Sequence, residues 1–305
     1  MYINHNQMAS NVANTLTSHY SNLATSTQRL SSGLRVNGAA DDAAGLAIRE
    51  LMRSDIAALN QGVRNANDAI SLLQTADGAL GVIDEKLVRM KELAEQAATG
   101  TYDSTQRLMI DSEYQAMASE ITRIANATDF NGMKLLDGTL SCADDTKEAA
   151  YHDGSGLVAK GPMKIHFGTM NDSAEDYYYI SIGNCTASAL GVGNAAGTPA
   201  DTAADARTVS TQAAAQTALV GINNAIVSKD KIRAHLGALQ NRLENTITNL
   251  TTQSENLQAA ESRISDVDVA TEMTQFVRNQ ILTQSAVAML SQANSMPQMA
   301  MQLIH

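Results

Sequence analysis

Proline is nearly absent from this chain, and its distribution permits unusually long helices. The 305 residues include 3 prolines, at Pro162, Pro199 and Pro297. Residues 1–161 and 200–296 therefore lack the residue that most strongly interrupts an α-helix. These two stretches predict that most of the chain is helical.

The two ends of the chain carry no charged side chain and still show an apolar repeat. Residues 1–28 and 279–304 contain no Lys, Arg, Asp or Glu. Their high content of Gln, Asn, Ser and Thr argues against membrane helices. Apolar residues recur at alternating three- and four-residue steps, as in a coiled coil. The front stripe consists of Ala9, Val12, Leu16, Leu23 and Leu30, and the back stripe of Val269, Met273, Phe276, Val287, Leu290, Met301 and Ile304.

These stripes predict self-association. A lone amphipathic helix is marginally stable in water, so we expect each end to be poorly ordered until its stripe is buried. Burial contributes ~25 cal/mol per Å² of apolar surface, so weak contacts with the other end and with other copies can sum to a stable polymer. The predicted polymerisation core is Val12, Leu16, Leu23, Leu30, Met273, Phe276, Val287, Leu290, Met301 and Ile304. The alternative is a pair of terminal helices docked on their own domain.

Three further helices are predicted between the ends. A helix over 42–99 would extend ~87 Å. It is preceded by the breaks Ser32-Gly33 and Asn37-Gly38, and Asp41 or Asp42 can cap it. A second helix covers 104–127, and a third follows Ile232, Leu236, Leu239, Leu243, Leu250, Leu257 and Ile264. The predicted fold is mainly α, an elongated antiparallel helical bundle or coiled coil with a small β-hairpin region.

The hairpin region is predicted in residues 138–202, where Gly, Asp, Ser and Thr are frequent. Two strands, 163–167 and 177–182, would flank a long acidic loop. Cys142 and Cys185 flank this hairpin, and they are either a disulfide formed outside the cell or two free buried thiols.

Composition argues against several classes of function. The net charge of −11 and pI near 4.9 disfavour nucleic-acid binding. No zinc-protease motif, phosphate loop or dinucleotide fingerprint occurs among the histidines and glycines, so we expect no metal, no cofactor and no enzymatic activity. The start of the chain has no basic and apolar leader, so we expect no cleaved signal peptide.

Several long motifs resemble bacterial flagellin, in the order found in that family. The N-terminal motif is Ser31-Ser-Gly-Leu-Arg-Val-Asn-Gly-Ala-Ala-Asp-Asp-Ala-Ala-Gly-Leu-Ala-Ile48, followed by residues 61–80 and 128–138. At the other end, residues 260–268 and 289–299 match the C-terminal pattern. The resemblance extends over nearly the whole chain.

The resemblance implies that the chain is a structural subunit of the secreted, extracellular flagellar filament. It also implies that successive segments of the chain form different parts of that filament. Residues 1–40 would form an inner-tube helix and spoke, and 41–137 outer-tube helices. Residues 138–202 would form the hairpin and loop cap, 203–264 the C-terminal outer-tube helix, and 265–305 the C-terminal inner-tube helix.

The resemblance also implies partners. These are other copies of the chain, an export chaperone, the type III export apparatus, and hook-associated and cap proteins, without nucleic acid or membrane insertion. The methionines of the tail, Met296, Met299 and Met301, serve either packing in the polymer or chaperone docking. In some flagellins an animal Toll-like receptor contacts a surface that corresponds to Arg89, Leu93 and Glu113. An ordinary contact between helices or subunits explains these three residues equally well.

Three other functions are weighed. A hook–filament junction protein would share the helical ends, but both termini match flagellin. A translocator inserted into host membranes would need a strongly apolar segment, which the sequence lacks. An enzyme would need a site that no motif here supplies.

Overall fold

The computed structural model describes residues 6–141, 161–172, 175–193 and 208–304, without the side chains of residues 298 and 300–304. The described elements are α1 (Gln7–Ser32), α2 (Ala43–Ala98), α3 (Ser104–Ala127), β1 (Asp129–Phe130), β2 (Met133–Lys134), β3 (Met163–His166), β4 (Tyr177–Ile180), α4 (Gln212–Ser265) and α5 (Val269–Ile304). The fold is mainly α, as the sequence predicts. Within the described ranges, no helix is long and apolar enough to cross a membrane.

The chain divides into two compact units. The terminal unit comprises Met1–Ala57 and Ser254–His305, and the central unit comprises Ala58–Gln253. The helices α2 and α4 contribute residues to both units.

The central unit has a large apolar core. Residues 73, 80 and 87 of α2 are completely buried. Tyr114 and Ile121 of α3 are buried with them, and Ile110 covers the first turns of α3, where Leu108 is 57% exposed. The described part of 138–202 joins the same core through Leu140, Ile180, Ile182, Cys185, Ala187, Leu190 and Val192.

The local breaks follow the turn residues. Asp42 caps α2 by accepting a hydrogen bond from the backbone N–H of Gly45 at 2.9 Å. The antiparallel pair β1–β2 turns through Asn131 and Gly132, with φ of 50° and 81°. Both φ values are positive, which is the backbone geometry that Asn-Gly pairs favour in hairpins.

The predicted hairpin is present as the antiparallel pair β3–β4, with Met163 opposite Ile180. The Asn65 side chain of α2 donates to the carbonyl of His166 at 2.8 Å, and the guanidinium of Arg242 in α4 lies 3.5 Å above the Tyr178 ring. The hairpin is therefore held on both α2 and α4.

Cys185 lies in the core of the central unit with its side chain fully buried. Burial raises the pKa of this thiol to about 12, so it stays protonated at neutral pH. Cys142 lies outside the described residues, and the proposed disulfide between the two stays a prediction.

Candidate functional site: the paired terminal helices

The helices α1 and α5 of the terminal unit pack against each other in antiparallel orientation. Near one end of the pair, the Asn6 side chain donates to the carbonyl of Ala293 at 2.8 Å. Near the other end, a guanidinium nitrogen of Arg29 lies 3.8 Å from a carboxylate oxygen of Glu272. The pairing of the two chain ends is therefore present within one molecule.

The junction below the pair is closed by backbone hydrogen bonds. Gly33 ends α1 in the left-handed conformation, with φ of 72°. The chain then runs beside the link between α4 and α5, where Arg35 N donates to the carbonyl of Ser265 at 2.7 Å and Val267 N donates to that of Gly33 at 3.0 Å. These bonds fix where the two helices begin to pair.

The start of α5 is capped by Asp268. Its carboxylate accepts from the Thr271 hydroxyl at 2.7 Å and from the backbone N–H of Ala270 at 3.0 Å. The hydrogen bond from the Thr271 hydroxyl, followed by those from the backbone N–H groups of Thr271 and Ala270, holds the pKa of Asp268 below its usual value. Since the charged carboxylate is the better acceptor, the cap is strongest when Asp268 is ionised.

The register of α1 agrees with the sequence prediction. The predicted stripe falls on the less exposed face of the helix, with His19 and Ser26 filling the gaps. Val12, Leu16, Leu23 and Leu30 are all partly buried.

The α5 residues of the predicted polymerisation core differ in burial within the single chain. Phe276 and Leu290 are partly buried, but Met273 and Val287 are exposed. Glu272 and Ala286, each one position before an exposed residue, are buried, as are Thr283 and Ala293. Small side chains at 286 and 293 fit a narrow seam between the helices. The side chains of Met301 and Ile304 lie outside the described part.

Apolar side chains that the seam leaves uncovered form a row on α5, which we call the outer stripe. It consists of Val269, Met273, Val277 and Ile281, spaced four residues apart and therefore on one side of the helix, and each is at least 44% exposed. On α1, Met8 and Tyr20 are also exposed.

The terminal unit has almost no apolar interior of its own. Among its described residues, Val36, Ala286 and Ala293 are the buried hydrophobic ones, and Val36 alone of these is larger than alanine. The helix pair exposes Val, Ile and Met and buries mainly alanine and polar groups. Most of the hydrophobic stabilisation available to it would therefore come from contact with other surfaces.

The second candidate surface lies on the central unit. Arg89 binds Glu113 of α3 at 2.8 Å and Glu92 of its own helix at 2.9 Å, and both partners raise the pKa of Arg89, Glu113 the more. Arg89 and Glu113 are exposed, but Leu93 is 2% exposed. Leu93 thus lies beneath the surface that the two charged residues form.

No group of His, Cys, Asp and Glu within the described ranges could hold a metal ion.

Comparison with known proteins agrees with this organisation. Residues 3–141 match the family model of the bacterial flagellin N-terminal helical region, and residues 219–304 match that of the C-terminal helical region. The chain is 43% identical over 320 residues to a flagellin of Bacillus subtilis, with all of both chains covered. It is 40% identical over 304 residues to the flagellar filament 33 kDa core protein of Treponema phagedenis, again with full coverage.

Among solved structures, a crystal structure of Bacillus cereus flagellin is similar, with 29% identity, 65% of this chain and 94% of that chain covered, and a TM-score of 0.45. The full-length identities and the two matched regions establish the family. The chain belongs to the bacterial flagellins, which are structural subunits of the flagellar filament and not enzymes.

Proposed function

We propose that this flagellin polymerises through the α1–α5 pair into a helical tube that serves motility. One observation carries the proposal: within the described residues, the terminal unit buries almost no large apolar side chain and exposes the outer stripe of α5. Contacts between copies would cover the stripe and supply the burial that the single chain lacks.

The predicted polymerisation core takes two roles in this proposal. Val12, Leu16, Leu23, Leu30, Phe276 and Leu290 hold the pair together, because they lie on its partly buried faces. Met273 and Val287 are exposed and contact neighbouring copies. Met301 and Ile304 extend the same helix and are assigned to the core from the sequence alone.

The absence of charge on most of both helices favours close association. Two copies can bring residues 1–28 and 279–304 together without like-charge repulsion or the desolvation of buried charges. The acidic groups of the chain lie elsewhere and keep the subunit soluble before assembly.

The division of the chain carried over from the family stays part of the proposal. Residues 1–40 and 265–305 are assigned to the inner tube, 41–137 and 203–264 to the outer tube, and 138–202 to the hairpin and cap. We place the assembled protein in the extracellular flagellum.

The proposed partners besides other copies are an export chaperone, the type III export apparatus, and hook-associated and cap proteins. The support is the family and the exposed methionines of α5, Met289 and Met299, which suit an adaptable apolar interface. Contact with an animal Toll-like receptor is proposed for Arg89 and Glu113, which are exposed and adjacent, while Leu93 would contribute by supporting that surface from below.

Seeded growth tests the proposal. Purified subunit mixed with sheared filament fragments should elongate the fragments, measured by electron microscopy and by sedimentation of the polymer. A variant that lacks residues 296–304 should stay in the supernatant because α5 loses its last turns. The central unit of this variant should keep its unfolding transition. Normal filaments from the truncated chain would contradict the proposed role of the terminal pair.

A further inference from the structure

Three charged residues occur in the 62 residues of α1 and α5, counting Lys, Arg, Asp and Glu. Arg29 lies in the last turn of α1, and Glu272 lies in the first turn of α5. Arg278 follows less than two turns further along α5 and is exposed. Charges are therefore concentrated at one end of the pair.

Glu272 depends on Arg29 for its neutralisation. Glu272 is 5% exposed. Among the described residues, its ion-pair partner is the Arg29 guanidinium, 3.8 Å away. Arg29 Nε and Glu272 Oε1 are both buried without another hydrogen-bond partner in the described part of the chain. A small adjustment would let this pair close into a two-pronged bridge, the strongest geometry available to an arginine and a carboxylate.

The apolar positions of the seam do little to define the register of the two helices. They repeat at heptad spacing, as Leu16 and Leu23 do on α1 and Ala286 and Ala293 on α5, so a slip by one heptad keeps apolar groups against apolar groups. Polar contacts hold the register instead: the Asn6–Ala293 hydrogen bond near one end, the backbone bonds of the junction at the other, and the ion pair between Arg29 and Glu272.

The ion pair does distinguish the registers. A slip by one heptad toward the start of α1 moves Glu272 from Arg29 to the level of Asn22, and residues 1–28 contain no Lys or Arg to replace it. A slip in the opposite direction is blocked because α1 ends at Ser32 and the chain turns at Gly33. Only the observed register neutralises the buried carboxylate.

We propose that Arg29 and Glu272 are positioning residues that lock the register of the α1–α5 pair, and that a second copy is recognised only by the locked pair. This inference rests on the proposed function, in which the pair is the assembling element. The locked register fixes the position of the outer stripe along the axis of the pair. A helical lattice requires this fixed position because every copy must make identical contacts.

A simpler explanation would assign each charge to its own helix. Arg29 lies near the negative end of the α1 dipole and Glu272 near the positive end of the α5 dipole, and both placements are favourable without any pairing. The two explanations differ in what happens when the charges are exchanged, because exchange keeps the pair and reverses both dipole interactions.

Critical concentrations for seeded growth separate these explanations. The variants are Arg29→Gln, Glu272→Gln, the exchanged double variant Arg29→Glu/Glu272→Arg, and the control Arg278→Gln, which removes an exposed cation of the same pair. If the ion pair locks the register, Arg29→Gln should raise the critical concentration about tenfold or more, because the carboxylate of Glu272 is left buried without a counter-charge. Glu272→Gln should have a smaller effect because Arg29 reaches solvent, and Arg278→Gln should resemble wild type.

The exchanged variant is expected to polymerise better than Arg29→Gln, since the pair is restored. A critical concentration above that of both single variants would favour the dipole explanation and overturn the lock. Equal growth of wild type and Arg29→Gln would overturn the lock alone. Failure of the wild-type chain to elongate seeds would instead overturn the proposed function, and the lock with it.

Discussion

At the scale of single residues, the central unit contains a charged side chain that is almost completely buried. Lys229 of α4 is 1% exposed, and its ammonium group donates to Asp84 of α2 and, at 2.8 Å, to Asp230. Both carboxylates reach solvent, so the lysine is the member of the group that cannot be hydrated. Asp84 therefore joins α4 to α2 through this lysine, and Asp230 supplies a second counter-charge from α4 itself.

Removing the acceptors should cost more than removing the lysine. The variant Asp84→Asn/Asp230→Asn leaves the ammonium group buried without a counter-charge and should lower the free energy of unfolding by about 3–5 kcal/mol. Lys229→Met keeps the volume of the side chain and leaves two carboxylates in water, so its loss should be smaller. Urea unfolding followed by circular dichroism measures both, and a larger loss for Lys229→Met would contradict this account.

The same group makes a prediction about pH. Burial opposes the charged form of Lys229, but hydrogen bonds from its ammonium group to Asp230 and Asp84 outweigh it, and the pKa of the lysine is raised. A raised pKa contributes stability that is complete below the unfolded pKa, about 10.4, and is lost as pH rises through the folded value. The stability difference between wild type and Lys229→Met should therefore shrink above pH ~10.4, as urea titrations at several pH values would show.

At the scale of elements, the long helices and the turns were predictable, whereas the exact contact faces were not. Proline-free heptads define α2 and α4 locally, and Asn131-Gly132 specifies its own turn geometry. The burial of Ala286 and Ala293 on α5 was not predictable, because it depends on the helix that packs against them, which periodicity within one segment does not include. The ion pairs, such as Lys229 with Asp84, join residues 145 positions apart, and nothing in the local sequence indicates them.

Gly62 shows how an element contact constrains one position. It is buried in α2, and a Cβ atom there would overlap the carbonyl group of Phe167, next to β3. Gly62→Ala gains up to about 1 kcal/mol of helix propensity but should still destabilise the central unit by about 1–3 kcal/mol, because backbone atoms must move. Gly78→Ala is the matched control, since Gly78 is exposed on the same helix with nothing near its Cβ position, and should stabilise. Chemical denaturation of both variants measures the difference, and equal stabilisation would refute the close contact.

At the scale of the whole molecule, the two units differ in what holds each of them together. The central unit buries a continuous set of Leu, Ile, Met and Tyr side chains, whereas the described residues of the terminal unit bury mainly Ala, Ser, Thr and Glu. Backbone hydrogen bonds hold α1 and α5 helical, but little apolar burial opposes their opening. Local stability should therefore be low in the terminal unit and high in the central unit.

Hydrogen exchange should show this difference directly. In the isolated subunit, amides of 7–32 and 269–304 should exchange much faster than those of 66–97, because opening the pair exposes little apolar surface that is not already exposed. In the filament, the same terminal amides should become protected by a factor of at least about 100, since contacts between copies add the missing burial and opening must break them. Mass spectrometry of peptides from both states measures the change, and the segment 66–97 serves as the internal reference. Equal protection of the terminal helices before and after assembly would mean that the outer stripe is not covered in the polymer.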